Sequence, residues 1–118
     1  MSTVTRTKTL GGSVSKKLTD RNSETSTRAV AERVRKIWAE VLEVTPESID
    51  IHHGDFFELG GYSLLALQAI GRLLAEYGVG EIESVELEGA LLNRLFDNPT
   101  AIGQAECLVA AGYGAGDA

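Results

Sequence analysis

Ser63 holds the most chemical promise in this chain. It lies in the run Asp55-Phe56-Phe57-Glu58-Leu59-Gly60-Gly61-Tyr62-Ser63-Leu64. Physically, an apolar knot would anchor a loop, two glycines would permit a tight turn, and a hydroxyl would stand at the start of a helix. The residues leave two uses open for that hydroxyl. As a helix cap it would bond the free N–H groups of the first turn. As an attachment point it would carry a phosphodiester, an anion that a helix N-terminus favours. Serine is a preferred cap, so capping is the plainer reading of these residues taken alone.

Other chemistry is poorly supported. Gly61-Tyr62-Ser63-Leu64-Leu65 lacks the second glycine of a hydrolase nucleophile elbow. The only histidines, His52 and His53, precede the serine on a loop, so no triad is suggested. Asp50 and Asp55 flank that pair, yet no zinc-ligand spacing is present, and a solvated loop is the expectation. The glycines at 112, 114 and 116 have no helix after them and cradle no phosphate. Cys107 falls among apolar residues, where a small inert thiol is the default. Neither a catalytic residue nor a metal site is expected.

The elements that must position Ser63 can be read from periodicity. Val30, Val34, Ile37, Trp38, Val41 and Leu42 recur at helical spacing and predict a first helix from about residue 28, capped by Ser26 or Thr27 and stopped by Thr45-Pro46. Trp38 belongs to its core face. Residues 45–62 form a long connection plugged into the core by Phe56, Phe57 and Leu59. A second helix is predicted over 63–77. Leu67, Ile70, Leu74 and Tyr77 would form its buried stripe and Gln68, Arg72 and Glu76 its wet one, with Arg72 and Glu76 paired at i, i+4. Gly71 inside it implies close approach of another backbone, and Gly78 ends it. Residues 79–88 alternate Val85 and Leu87 with glutamates and read as extended. A short third helix is expected over 89–96. A fourth would start with Asn98 as cap and Pro99 at its first position, and Ile102, Ala105, Cys107, Leu108 and Val109 would fill it. The fold class is all-α: a small four-helix bundle with three main helices and one short.

The chain has 118 residues, which allows one domain. Residues 1–26 hold eleven Ser or Thr and four scattered Val or Leu. They cannot bury enough apolar surface to offset ordering, so they read as a disordered tail. The domain then occupies 27–111, and 112–118 form a flexible tail. Residues 1–25 carry five basic and two acidic groups, against six basic and fifteen acidic from 26 onward. An acidic body argues against nucleic acid as a partner. No apolar run is long enough to span a membrane, and no secretory signal is present. One cysteine excludes an internal disulfide and fits a reducing cytosol, so a cytoplasmic location is expected, and the expected state is a monomer.

The wider pattern reverses the choice at Ser63. Phe56-Phe57-Glu58-Leu59-Gly60-Gly61-Tyr62-Ser63-Leu64 resembles the 4′-phosphopantetheine attachment motif of carrier proteins, in particular the peptidyl carrier (thiolation) domains of nonribosomal peptide synthetases. Trp38-Ala39-Glu40-Val41-Leu42 before it and Leu95-Phe96-Asp97-Asn98-Pro99-Thr100 after it extend the resemblance over about residues 28–110. The resemblance implies a small four-helix bundle. It also implies that Ser63 takes a 4′-phosphopantetheine arm from coenzyme A, attached by a phosphopantetheinyl transferase with a magnesium ion. The arm would hold an aminoacyl or peptidyl thioester, and the domain would perform no reaction alone. Implied partners are an adenylation enzyme and condensation or tailoring enzymes. Tyr62, Leu64 and Leu65 are the expected contacts, with Leu65 on the solvent side beside Gln68. Acyl carriers of polyketide or lipid pathways usually place Asp before the serine and acids after it. Here Tyr62 precedes it and Leu64-Leu65-Ala66-Leu67-Gln68 follow, so the peptidyl type is favoured. An acyl carrier and a cofactor-free interaction module are the alternatives. The sequence departs from the family at Tyr62, where His is frequent, and in its long acidic stretch near residues 80–83. A Met start with no second catalytic domain suggests a freestanding carrier.

Overall fold

The computed structural model describes residues 13–114, and side chains from Ser26 onward. Expectations for residues 1–12 and 115–118 lie outside that range. Four helices follow in order: α1 (Ser13–Leu42), α2 (Ser63–Glu76), α3 (Glu81–Asp97) and α4 (Ala101–Ala110), with a 3-10 turn at Pro46–Ser48. No strand occurs among the described residues, in agreement with the all-α bundle. α1 packs most extensively on α4 and also against α2, while α3 contacts α2 and α4.

The core face of α1 is the expected one. Val30, Val34, Ile37 and Trp38 are buried, and Val41 and Leu42 are half-buried against the core. Burying each such side chain contributes about 1.5–3 kcal/mol. Both ends of the helix differ from expectation. It begins at Ser13, so Ser26 and Thr27 lie inside it rather than capping it. Residues 13–26 contain neither Gly nor Pro, and extending a formed helix is far easier than nucleating one. At the other end Glu43 takes the left-handed conformation (φ 60°), and the Val44 N–H donates to the Ala39 carbonyl at 3.0 Å. That closure stops the helix ahead of Pro46, which instead opens the 3-10 turn.

α2 starts and ends where expected. Gly78 adopts φ 63°, and the Val79 N–H donates to the Leu74 carbonyl at 3.0 Å. Its buried face, however, is Ala66, Ala69, Ile70, Leu73 and Leu74, so Leu67 is exposed rather than core. Arg72 and Glu76 do not pair with each other. Arg72 reaches Glu40 and Glu76 reaches Arg33, so both ion pairs cross to α1 and align the two helices antiparallel. Gly71 faces open space, with no atom near the position of a Cβ. Outside its own helix, no backbone among the described residues approaches it.

α3 overturns the expected extended stretch. Residues 81–88 are helical, and the helix reaches Asp97. Leu87, Leu91 and Leu95, four residues apart, are its buried stripe. The local alternation of Val85 and Leu87 coincides with one turn of that helix, and Val85 is exposed. Glu81 and Glu83 sit in the first turn, where the dipole favours acids. The cap of α4 is Thr100, not Asn98. Its hydroxyl accepts from the Gly103 N–H at 3.1 Å, while Asn98 closes α3 and Pro99 lies before the cap. Gln104 of α4 is fully buried, and its Nε2 donates to the Leu91 carbonyl at 3.0 Å. Residues 112–114, expected to begin a free tail, fold back. The Tyr113 N–H donates to the Leu108 carbonyl, and Gly114 lies against Val30.

The connection 45–62 is bound to the bundle by side chains and main chain. Ile49, Ile51 and Phe56 are buried, and the Phe56 ring meets Trp38 edge-on at 4.9 Å. The Phe56 N–H donates to the Pro99 carbonyl at 2.9 Å, and the Ile102 N–H to the Ile51 carbonyl at 2.8 Å. Gly61 rests on the Phe56 ring so closely that a Cβ there would lie 2.2 Å from a ring carbon.

The two glycines make opposite predictions. Gly71→Ala should raise stability by about 0.5–1 kcal/mol, since the site is helical and open. Gly61→Ala should lower it by about 1–3 kcal/mol through overpacking against a ring that has no room to yield. Urea unfolding followed by circular dichroism reads both.

Candidate functional site

The segment that presents Ser63 begins with a turn closed by Asp55. Its Oδ1 accepts from the N–H groups of Phe57 at 2.8 Å and Glu58 at 3.1 Å. The Leu59 N–H donates to the Asp55 carbonyl, the Gly60 N–H to Phe57, and the Gly61 N–H to Phe56 at 2.9 Å. Gly60 takes φ 111°, a conformation open to glycine and strained for other residues. The chain therefore winds over Phe56 and straightens at Tyr62, whose φ −152° and ψ −179° are extended.

Tyr62, not Ser63, occupies the cap position of α2. Its carbonyl accepts from the Ala66 N–H at 2.8 Å and opens the helix. Ser63 is the first helical residue, exposed, and no side chain caps this helix. The capping use of the Ser63 hydroxyl is thus overturned: one residue inside the helix, it no longer faces back onto the N–H groups of the first turn. The first turn contains no acid. An anion bonded to Ser63 Oγ would meet the positive end of the helix dipole without a carboxylate opposing it. The arrangement fits a covalently attached phosphodiester.

The apolar neighbourhood of Ser63 differs in phase from expectation. Tyr62 and Leu64 are each 56% exposed, and Leu67 is 40% exposed. Leu65, expected on the solvent side, is half-buried and packed against the core. Leu64 and Leu67 thus form the outward stripe. Leu67 is the residue that periodicity misassigns, and its three-residue spacing from Leu64 is the signal that places the two together. Phe57 stacks on Phe96 at 5.6 Å with planes 3° apart, leaving Phe96 exposed at the end of α3.

The other reactive side chains lie on other segments, outside α2 and the 55–62 turn. His52 and His53 are exposed, and their backbone N–H groups donate to Asp50 Oδ1 at 2.8 and 3.0 Å. Those two bonds hold the Asp50 carboxyl below its usual range, the one from His52 contributing most. No group of three metal-ligating side chains occurs among the described residues. Cys107 is half-buried in α4, and burial pushes its thiol pKa up, which disfavours the reactive thiolate. No helix among the described residues is long and apolar enough to cross a membrane.

Comparison with known proteins agrees with this geometry. The family model described as "Phosphopantetheine attachment site" matches residues 32–108, which takes in α2, α3, most of α4 and the core part of α1. One polypeptide of the linear gramicidin synthase of Brevibacillus parabrevis is 41% identical over 81 residues, 69% of this chain. A second polypeptide of the same synthase is 44% identical over 77 residues, 65% of this chain. Malpinin synthetase of Mortierella alpina is 40% identical over 72 residues, 61% of this chain. The chain spans about 1% of the length of each of these relatives. No solved structure matches it significantly. With the family model covering the bundle and the motif around Ser63, the chain belongs to the phosphopantetheine attachment-site family, whose members carry a covalently bound 4′-phosphopantetheine.

Proposed function

We propose that the chain is a peptidyl carrier domain that holds an aminoacyl or peptidyl group on a 4′-phosphopantetheine arm attached at Ser63. One observation carries the assignment of the residue: Ser63 is exposed at the first position of α2 and is not used as a cap. Supporting it, the relatives at 40–44% identity are linear gramicidin synthase polypeptides and malpinin synthetase. When bound, the arm supplies a terminal thiol that forms the thioester. The chain's own residues present the hydroxyl, hold the turn before it and leave the approach to it open. On this reading Ser63 is an attachment point and the domain performs no reaction alone; His52 and His53 lie on the 45–62 connection, outside the helix that Ser63 opens. The domain therefore works as a carrier, loaded and unloaded by other enzymes in the cytoplasm. Those are a phosphopantetheinyl transferase, an adenylation enzyme, and condensation or tailoring enzymes.

An acyl carrier of a polyketide or lipid pathway is the second reading. The first turns of α2 count against it, because Leu64-Leu65-Ala66-Leu67-Gln68 offers apolar rather than acidic contacts.

Intact mass after incubation with coenzyme A and a broad-specificity transferase tests the assignment. A gain of one 4′-phosphopantetheine is expected, with none in Ser63→Ala, whose helicity should be retained. Mapping of the modified peptide to another serine would overturn the choice of residue. Loading by an adenylation enzyme, against transfer of malonyl groups, separates the two carrier types.

The exposed stripe yields a paired prediction. Leu64→Glu should change the melting temperature little and slow modification at least tenfold. Leu65→Glu should lose about 1–3 kcal/mol of stability, because its side chain packs against the core. Thermal unfolding and the initial rate of mass gain, measured on both variants, check the phase of the helix.

A further inference from the structure

At the end of the bundle away from Ser63, α3 and the C-terminal turn line an open hollow of about 320 Å3. Its walls are apolar: Leu87 and Ala90 of α3, Ala111, and Tyr113. Glu83 and Glu86 also line it. They lie three residues apart on one face of α3, and the Glu83 carboxylate folds back against Gly80 at the start of the helix. Its place in the molecule follows from the packing. α2 starts at Ser63 and rises about 20 Å over its 14 residues. At its far end Gly114 lies within reach of both Tyr77 and Val30, and Tyr113 beside Gly114 forms one wall of the hollow.

Two features give the hollow a preferred guest. The first is charge. Residues 79–93 contain four glutamates and no basic residue, and neither Glu83 nor Glu86 has an ion-pair partner among the described residues. Four arginines are engaged elsewhere, Arg33 with Glu76, Arg35 with Glu32, Arg72 with Glu40 and Arg94 with Glu106, and Arg28 lines a separate groove beside Glu32, Glu47 and Asp50. The second is shape. An open hollow lined by aliphatic and aromatic side chains together with two carboxylates suits a side chain with an apolar stem and a cationic head. A tyrosine in the wall favours the flat guanidinium over an ammonium. On the adjoining face of α3, Ile82 and Val85 are 80% and 74% exposed, more than any other large hydrophobic side chains described, and could extend the contact.

We propose that this hollow is an anchor for an arginine side chain on the docking surface of an enzyme that loads or unloads the thioester, not of the transferase that attaches the arm, gripping the carrier at the end opposite its serine. The proposal rests on the carrier reading and adds a second, charge-complementary contact to the apolar stripe at Leu64 and Leu67. A partner held there leaves Ser63 free to face a reacting centre. A second copy of this chain is disfavoured as the occupant, because two such acidic faces repel each other.

Titration of the isotopically labelled full chain with N-acetyl-arginine methylamide, followed by NMR, tests the anchor. Saturable shifts at millimolar concentration are expected at Glu83, Leu87, Ala90 and Tyr113. They should fall at least fivefold for the lysine analogue, and vanish for the uncharged norleucine analogue and in the Glu83→Gln/Glu86→Gln variant. Tyr113→Ala, if folded by circular dichroism, should also weaken them. Equal shifts from norleucine, undiminished shifts in the double Gln variant, shifts centred elsewhere, or no shifts would overturn the anchor. The double Gln variant should accept phosphopantetheine at Ser63 within twofold of the normal rate. Failure of both it and the parent chain to load would instead overturn the carrier reading.

Discussion

The packing of one ring fixes the position of the serine. Phe56 fills the space beside Trp38, and the Gly61 backbone lies directly on that ring. The hydroxyl two residues later therefore stands at a set height above the core. A side chain at 61 would lift the turn, and a smaller residue at 56 would let it sink. The left-handed Gly60 and the Asp55 carboxylate are needed because the backbone must wind tightly over a surface it already touches. α2 inherits its starting point from this contact. Ser63 is left exposed because the turn delivers Tyr62, extended, to the cap position.

Much of this could be read from residue order, and the remainder had identifiable physical causes. The inward face of α1, the stop at Gly78 and the importance of the 55–64 run were legible because each rests on local chemistry: spacing, a glycine, a motif. Phase and boundaries were not. Leu65 and Leu67 are equally apolar, and the rotation of α2 about its own axis decides which one turns inward. Asn98 and Thr100 are both competent caps, and the geometry of the α3–α4 junction selects Thr100. Glu43 in a left-handed conformation carries no sequence signal. The stretch 79–88 offered a period of two over a few residues, whereas the helical period shows only when Leu87 is read together with Leu91 and Leu95.

The charged groups divide the same way. A local pair between Arg72 and Glu76 gives way to two crossings onto α1, because antiparallel α1 places complementary partners within reach. All four side chains are substantially exposed, so these pairs contribute little stability. Their effect is on alignment: α1 sliding along α2 would break both at once. Among the described residues the glutamates of α3 have no such partners, which there separates a charge-paired side of the bundle from an unpaired one.

The main-chain bonds from Phe56 to Pro99 and from Ile102 to Ile51 have a consequence in time. Each joins residues separated by more than a third of the chain, and such distant contacts form late because a large loop must close first. On a ribosome, Ser63 emerges well before Pro99 and Ile102 are made. During that interval the turn over Phe56 lacks the strand of backbone that pins it, and α4 is not yet there to complete the core. The nascent segment thus displays the serine in sequence but not in shape. An enzyme that reads the shape of the site would pass over an unfinished chain and act on a completed one.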